Sequence, residues 1–204
     1  MKANFDLTSQ DYFVAEETFI KSNPFATVMA SIEGDIKSTQ LPICYCPKRH
    51  VLLSHFARNN ELAEAFGHKC KVLFSGTDAY ISPRWTEGLP VNDVVVPTWN
   101  YSALEISGSL ELISDETEKV EIMAQIVSQF EGEAVNPWRI EELKPSLLGQ
   151  MLKAIHVFQI SIEHYKTTHK WSQNKSAQTQ HVMREQVQAQ LLTKYKTELG
   201  LNHI

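Results

Sequence analysis

Four short segments hold most of the side chains that could do chemistry. Ser54-His55-Phe56-Ala57-Arg58-Asn59-Asn60 places an imidazole, a guanidinium and carboxamides where a β-rich run ends and a short helix is expected. Backbone N–H groups at a helix start favour an anion, and an arginine adds a bidentate phosphate contact. The same residues also read as a surface arginine beside an asparagine cap. Ala79 to Trp85 and Val96 to Tyr101 interleave aromatics with small hydroxyls and an amide. A planar, hydrogen-bonding ligand needs such a surface, and so does a strand that packs its aromatics into a core. Lys170-Trp171-Ser172-Gln173-Asn174 adds a second cation and polar groups, or is simply a loop. Other chemistries have weaker support. Cys44 and Cys46 could join His50 and His55 as metal ligands, but two cysteines on an apolar strand are better explained by burial. Ser172 and Lys175 match the S-x-x-K spacing of acyl-enzyme hydrolases, as a two-residue coincidence. Phosphate-binding glycine loops, H-E-x-x-H and paired C-x-x-C are absent from the sequence.

The elements that must position these groups are mostly strands. Asp11 to Asn23 predicts a short helix burying Phe13, Ala15 and Ile20, stopped by Asn23-Pro24. Strands follow at Phe25 to Ile32, Ile36 to Cys46 and Val51 to Phe56; short turns join them, so they are expected to be antiparallel. Asn60 to Phe66 predicts a short helix ending at Gly67, then strands at Lys71 to Ser75 and Ala79 to Ser82. Arg84 to Asp93 predicts a loop, and Val94 to Ile113 a long strand in which Gly108 marks a bend or bulge. Helices at Asp115 to Phe130 and Glu141 to Ala154 precede a last strand, Ile155 to Ile162. After a polar loop at Lys175 to Gln180, His181 to Leu199 predicts a helix with Met183, Val187, Leu191, Tyr195 and Leu199 in one apolar stripe. That stripe needs a surface on its own domain or a partner's. The fold class expected is mainly β (α+β): an antiparallel barrel with peripheral helices and a C-terminal helix.

The 204 residues are 43% hydrophobic and 21% charged, as expected of a globular chain, and carry a net charge of −5. Nucleic-acid binding relies on clustered Lys and Arg, so direct DNA binding has no support in this balance. Cys44, Cys46 and Cys70 have no framework spacing and are expected to be free thiols in a reducing compartment. The first residues lack the apolar segment of a signal peptide, and no apolar run approaches the ~18 residues of a membrane span. A cytoplasmic, membrane-free location is the expectation.

In order along the chain, Asn23-Pro24-Phe25-Ala26-Thr27, His55 to Asn59, Tyr80 to Trp85, Val96 to Tyr101, and Lys170 with Ser172-Gln173-Asn174 resemble the PaiB family of FMN-binding negative transcriptional regulators. The resemblance implies the split β-barrel of pyridoxamine-phosphate oxidase-like flavoproteins, with FMN at the interface of a homodimer. Residues 1–174 would form the FMN domain, and 175–204 a loop and helix packed on it or on the dimer partner. It implies an FMN phosphate near His55, Arg58 and Asn59. Thr98, Trp99, Asn100 and Tyr101 would lie along the ribityl chain and ring, Tyr80 and Ser82 would also bind the cofactor, and Lys170, Ser172 and Gln173 would reach the flavin from the neighbouring subunit. The chain departs from the family pattern after Trp85, where Thr86-Glu87-Gly88-Leu89 replaces a usual Tyr and Lys. Three functions compete: a regulator acting through flavin state or a protein partner, an FMN-dependent oxidoreductase or flavin reductase, and a flavin-free interaction module.

Overall fold

The computed structural model describes residues 13–90, 93–132 and 134–198. Seven strands form one sheet: β1 Phe25–Ile32, β2 Asp35–Pro42, β3 Cys44–Cys46, β4 Val51–Ala57, β5 Lys69–Ile81, β6 Thr98–Leu112 and β7 Ile155–Lys170. Their spatial order is β2-β1-β5-β6-β7-β4-β3. The pairs β1/β2, β1/β5, β3/β4 and β4/β7 are antiparallel. Four α-helices accompany them: α1 Val14–Ser22, α2 Glu116–Glu131, α3 Pro145–Lys153 and α4 Ala177–Glu198. By their contacts the described residues divide into a larger unit, within 13–75 and 104–167, and a smaller one, within 76–103 and 168–198.

In the larger unit the expected strand Ile36 to Cys46 is two strands, interrupted at Ile43. Proline cannot donate to a ladder, so Pro42 ends β2. Beyond it β2 and β3 take the two opposite edges of the sheet. The sheet must therefore curl. Two hydrogen bonds hold the curl: Ser54 Oγ donates to the Pro42 carbonyl at 2.7 Å, and Ile43 N–H to the Pro24 carbonyl at 2.8 Å. This is the split antiparallel barrel expected from the sequence, although β2 and β4 are not ladder neighbours.

The barrel core holds Phe13, Ile20, Leu52, Phe74, Leu104, Leu110 and Phe158, each 2% exposed or less. Burying such a side chain contributes about 1.5–3 kcal/mol. From α1, Phe13 and Ile20 reach this core while Ala15 is exposed, and residues 11–12 lie outside the described set. A second cluster sits on the other sheet face, where Ile122 and Ile126 of α2 meet Leu53, Cys44 and Val157. Asp115 caps α2 by accepting the Glu118 N–H at 2.8 Å. Pro145 occupies the first turn of α3, so the helix expected from Glu141 begins four residues later, after a separate 3-10 turn. Gly108 is required by close approach: a Cβ there would lie 1.9 Å from the Ser161 carbonyl oxygen of β7. Cys44, Cys46 and Cys70 are free and buried.

The smaller unit is built on strand ends. Gly76-Thr77-Asp78 does not interrupt β5, so the two strands expected there are one. Residues 94–97 are not strand, and β6 starts at Thr98. The last strand continues to Lys170, eight residues past the expected end. The Met183, Val187 and Leu191 stripe of α4 packs on Ala79 and Ile81 with Trp85 and Val95. Helix α4 starts inside the expected loop, its Tyr195 is 60% exposed, and Leu199 lies outside the described residues.

Candidate functional site

The groups singled out in the sequence fall in both units. In the larger one, His55, Arg58 and Asn59 lie at and just after the C-terminal end of β4. His55 pairs across the ladder with Val157. Its Nδ1 is buried without a hydrogen-bond partner, and burial lowers the imidazole pKa. Leaving a buried polar atom unsatisfied costs about 1–3 kcal/mol. Arg58 is anchored by two bonds: its N–H donates to the Ala154 carbonyl at 2.9 Å, and its Nε to the Lys153 carbonyl at 2.7 Å. Holding Nε fixes the plane of the guanidinium, whose terminal nitrogens are the fork that grips a phosphate. Asn59 is exposed, while Asn60 caps the following turn by accepting the Leu62 N–H at 3.0 Å. That turn is a 3-10 helix, Glu61–Ala65, rather than a longer α-helix. So short an element contributes little dipole, and recognition of an anion here rests on side chains.

In the smaller unit the polar members are held by separate hydrogen-bonded pairs. Lys170 Nζ donates to Thr98 Oγ1 at 2.6 Å, and Ser172 Oγ to Asn100 Oδ1 at 3.0 Å. Gln173 folds back on its own turn, accepting the Trp171 N–H at 2.8 Å and donating to the His169 carbonyl at 2.9 Å. Ser172 has φ of 56°, the left-handed region that non-glycine residues enter at a cost. Strand alternation separates the neighbours in sequence: Asn100 is buried, whereas Trp99 and Tyr101 are 54% and 38% exposed. Tyr80 projects outward as well, with its ring edge-to-face to Trp99 at 6.0 Å. Ser82 is committed to a turn, where its Oγ accepts the Arg84 N–H at 3.2 Å. The acyl-enzyme reading of Ser172 and Lys175 has no geometric support, since Lys175 Nζ donates to the Val94 carbonyl at 2.6 Å.

Tyr80 and Trp99 also line a cleft of about 550 Å³ with Trp85 and the α4 residues Gln186, Gln190 and Lys194. Sequence reading missed the helical side of this cleft. Gln186, Gln190 and Lys194 recur at four-residue steps, a signal present in the sequence but passed over beside the apolar stripe. Among the described residues no group of three or more His, Cys, Asp or Glu side chains could hold a metal ion. Burial pushes the Cys44 thiol up to about 11 and that of Cys70 up to about 12, which makes both poor nucleophiles and poor ligands. No described helix is long and apolar enough to cross a membrane.

Known proteins share the family and the fold. Residues 6–164 match the family described as "Putative FMN-binding domain". The protease synthase and sporulation protein PAI 2 of Bacillus subtilis is 32% identical over 169 residues, which cover 79% of this chain and 78% of that one. Among solved structures, the flavocytochrome Anf3 from Azotobacter vinelandii superposes with a TM-score of 0.60 at 20% identity, over 79% of this chain and 68% of its own. An FAD- and heme-binding protein from Mycobacterium smegmatis gives 0.58 at 15% identity, over 84% and 77%. At those identities the structures establish the fold, while the family match and the PAI 2 relative establish kinship. The chain belongs to the PaiB family of FMN-binding split-barrel proteins, with FMN as the family's cofactor.

Proposed function

We propose that this protein is an FMN-binding negative transcriptional regulator of the PaiB type, acting in the cytoplasm as a homodimer with FMN at the subunit interface. The observation that carries the flavin part is the anchored Arg58 beside His55, whose buried Nδ1 lacks a partner. A guanidinium, an imidazole and the Asn59 carboxamide are the donor types a phosphate needs. His55, Arg58 and Asn59 take the phosphate in this reading. Tyr80, Ser82, Thr98, Trp99, Asn100 and Tyr101 bind along the ribityl chain and ring, and Lys170, Ser172 and Gln173 join them from the same subunit, since Lys170 and Ser172 are bonded to Thr98 and Asn100 of their own chain. Bound FMN supplies one- and two-electron chemistry, and the chain's own groups bind and orient it. The regulatory part rests on the family resemblance. With a net charge of −5, regulation works through flavin state or a protein partner rather than through direct DNA contact.

Phe25 and Ile36, 61% and 69% exposed, lie at opposite ends of the β1–β2 hairpin and form no single patch. The dimer rests on the family resemblance. Light scattering on the purified protein, with and without FMN, tests this: a mass of two chains is expected, and a monomer under both conditions would contradict the interface. A gel shift showing tight, sequence-specific DNA binding at physiological salt would overturn the indirect mode of regulation.

A further inference from the structure

We infer that helix α3 serves the phosphate site through its main chain: its C-terminal carbonyls hold Arg58 in place, and a bound phosphate holds the helix in return. This coupling rests on the flavin reading above and adds a positioning element to it. Register sets the contact. Ala57 pairs with Ile155 across the β4–β7 ladder, so Arg58, the next residue, faces Ala154, the residue that ends α3. Its N–H donates to the Ala154 carbonyl at 2.9 Å, and its Nε to the Lys153 carbonyl at 2.7 Å. A cation on the last carbonyls of a helix satisfies groups with no partner inside the helix and offsets the negative end of its dipole. Holding Nε leaves the two terminal nitrogens of the guanidinium for an anion. One side chain thus serves two acceptors, the helix end and the phosphate.

Helix α3 has little else to keep it. It is nine residues long, and isolated helices of that length are marginal in water. Gly149, the poorest helix former after proline, sits at its centre. Lys144 at its N-cap makes no side-chain capping bond. Leu152 is buried, but Leu147 and Met151, a pair four residues apart, are each about half exposed. By contrast α2 runs 16 residues, is capped by Asp115 and packs Ile122 and Ile126 into the second apolar cluster. Of these two helices, α3 is the one whose order Arg58 can shift. Fixing an arginine costs rotamer freedom, and a helix that has already fixed it improves binding about two- to tenfold. Linkage is reciprocal, so the phosphate stabilises the helix by the same factor.

Amide hydrogen exchange of residues 149–154, with and without saturating FMN, tests this, with Ile122 to Ile126 of α2 as the reference. FMN should slow exchange in α3 about fivefold more than in α2, while riboflavin, which lacks the phosphate, should not. Arg58→Lys keeps the charge but not the fixed fork, so the slowing should vanish even at saturating FMN. Gly149→Pro breaks the helix without altering Arg58 and should weaken FMN binding about fivefold. Should it fold poorly, Met151→Gly at a half-exposed position gives a smaller loss in the same direction. Equal exchange in α3 with and without FMN, slowing that survives Arg58→Lys or follows riboflavin equally, or wild-type FMN affinity in both helix variants would each overturn the inference and leave the flavin site standing. Failure of the wild-type protein to bind FMN would instead remove the flavin reading, and this coupling with it.

Discussion

The two units use the same strands for different ends. The larger is closed by fully buried aliphatic and aromatic side chains, and ion pairs cross its surface, Lys166 with Glu105 at 2.8 Å and Lys69 with Glu163. Among the described residues, the smaller has Ala79, Ile81, Met183 and Val187 as its buried apolar core. Its aromatics Trp99, Tyr80 and Tyr101 stay in part exposed, and its turns are tied by side-chain hydrogen bonds rather than packing. A region with little buried apolar surface opens more readily than a packed core, and binding groups are commonly carried by such regions on a rigid support. The comparison teaches that here packing is concentrated in one unit and most of the proposed binding groups in the other, with His55 and Arg58 as the exception.

The sharpest way to break this contrast is to attack the closest approach in the larger unit. Gly108→Ala drives a Cβ into the Ser161 carbonyl, and backbone cannot yield as a side chain can. A loss of about 3 kcal/mol or more in urea unfolding, or failure to fold, is expected. A wild-type midpoint would show that β6 and β7 have slack. Met183→Ala in the smaller unit should cost about 2–3 kcal/mol, seen first as faster amide exchange in α4 while β1 and β4 keep their protection. Equal loss of protection everywhere would show that the two units unfold as one. Arg58→Ala should weaken FMN binding by about 2 kcal/mol with little change in stability, and an unchanged affinity would move the phosphate elsewhere.

The smallest effect is on pH. Burial lowers the pKa of His50, His55 and His156, all in the larger unit, below the ordinary 6.5. The unfolded chain then binds more protons than the folded one between the depressed values and 6.5. Stability is therefore full above pH 6.5 and falls as acid carries the solution down through the folded values. Denaturation midpoints should drop between pH 7.5 and 5.5, less steeply in His55→Asn. Flat midpoints over that range would mean the imidazoles titrate alike in both states.

Much of the barrel was legible in the sequence, though partly through errors that offset one another. Seven strands are expected and seven are found, but one expected strand splits at Ile43 and two others fuse across Gly76-Thr77-Asp78. Local turn chemistry could not show that Pro42 precedes a jump to the opposite sheet edge, because that follows from curling the whole sheet. Nor could it show that Gly76 stays in a strand held by its neighbours. The apolar stripe of α4 was legible by period, as was its need for a surface; only the fold reveals that Ala79 and Ile81 provide it. Of the site, the aromatics and the Lys170–Gln173 turn were visible as residue types. Their separation onto opposite strand faces was implicit in the two-residue period of β6 and went unused. Gln186, Gln190 and Lys194 were legible as a four-residue repeat, but only the fold shows what stands opposite that face.

The most direct test of the flavin site is a titration of FMN fluorescence with purified wild-type protein and with Arg58→Ala. The account predicts saturable quenching by the wild type at micromolar concentrations, with an affinity roughly thirtyfold lower in the variant. Quenching of equal strength by both proteins, or by neither, would contradict it.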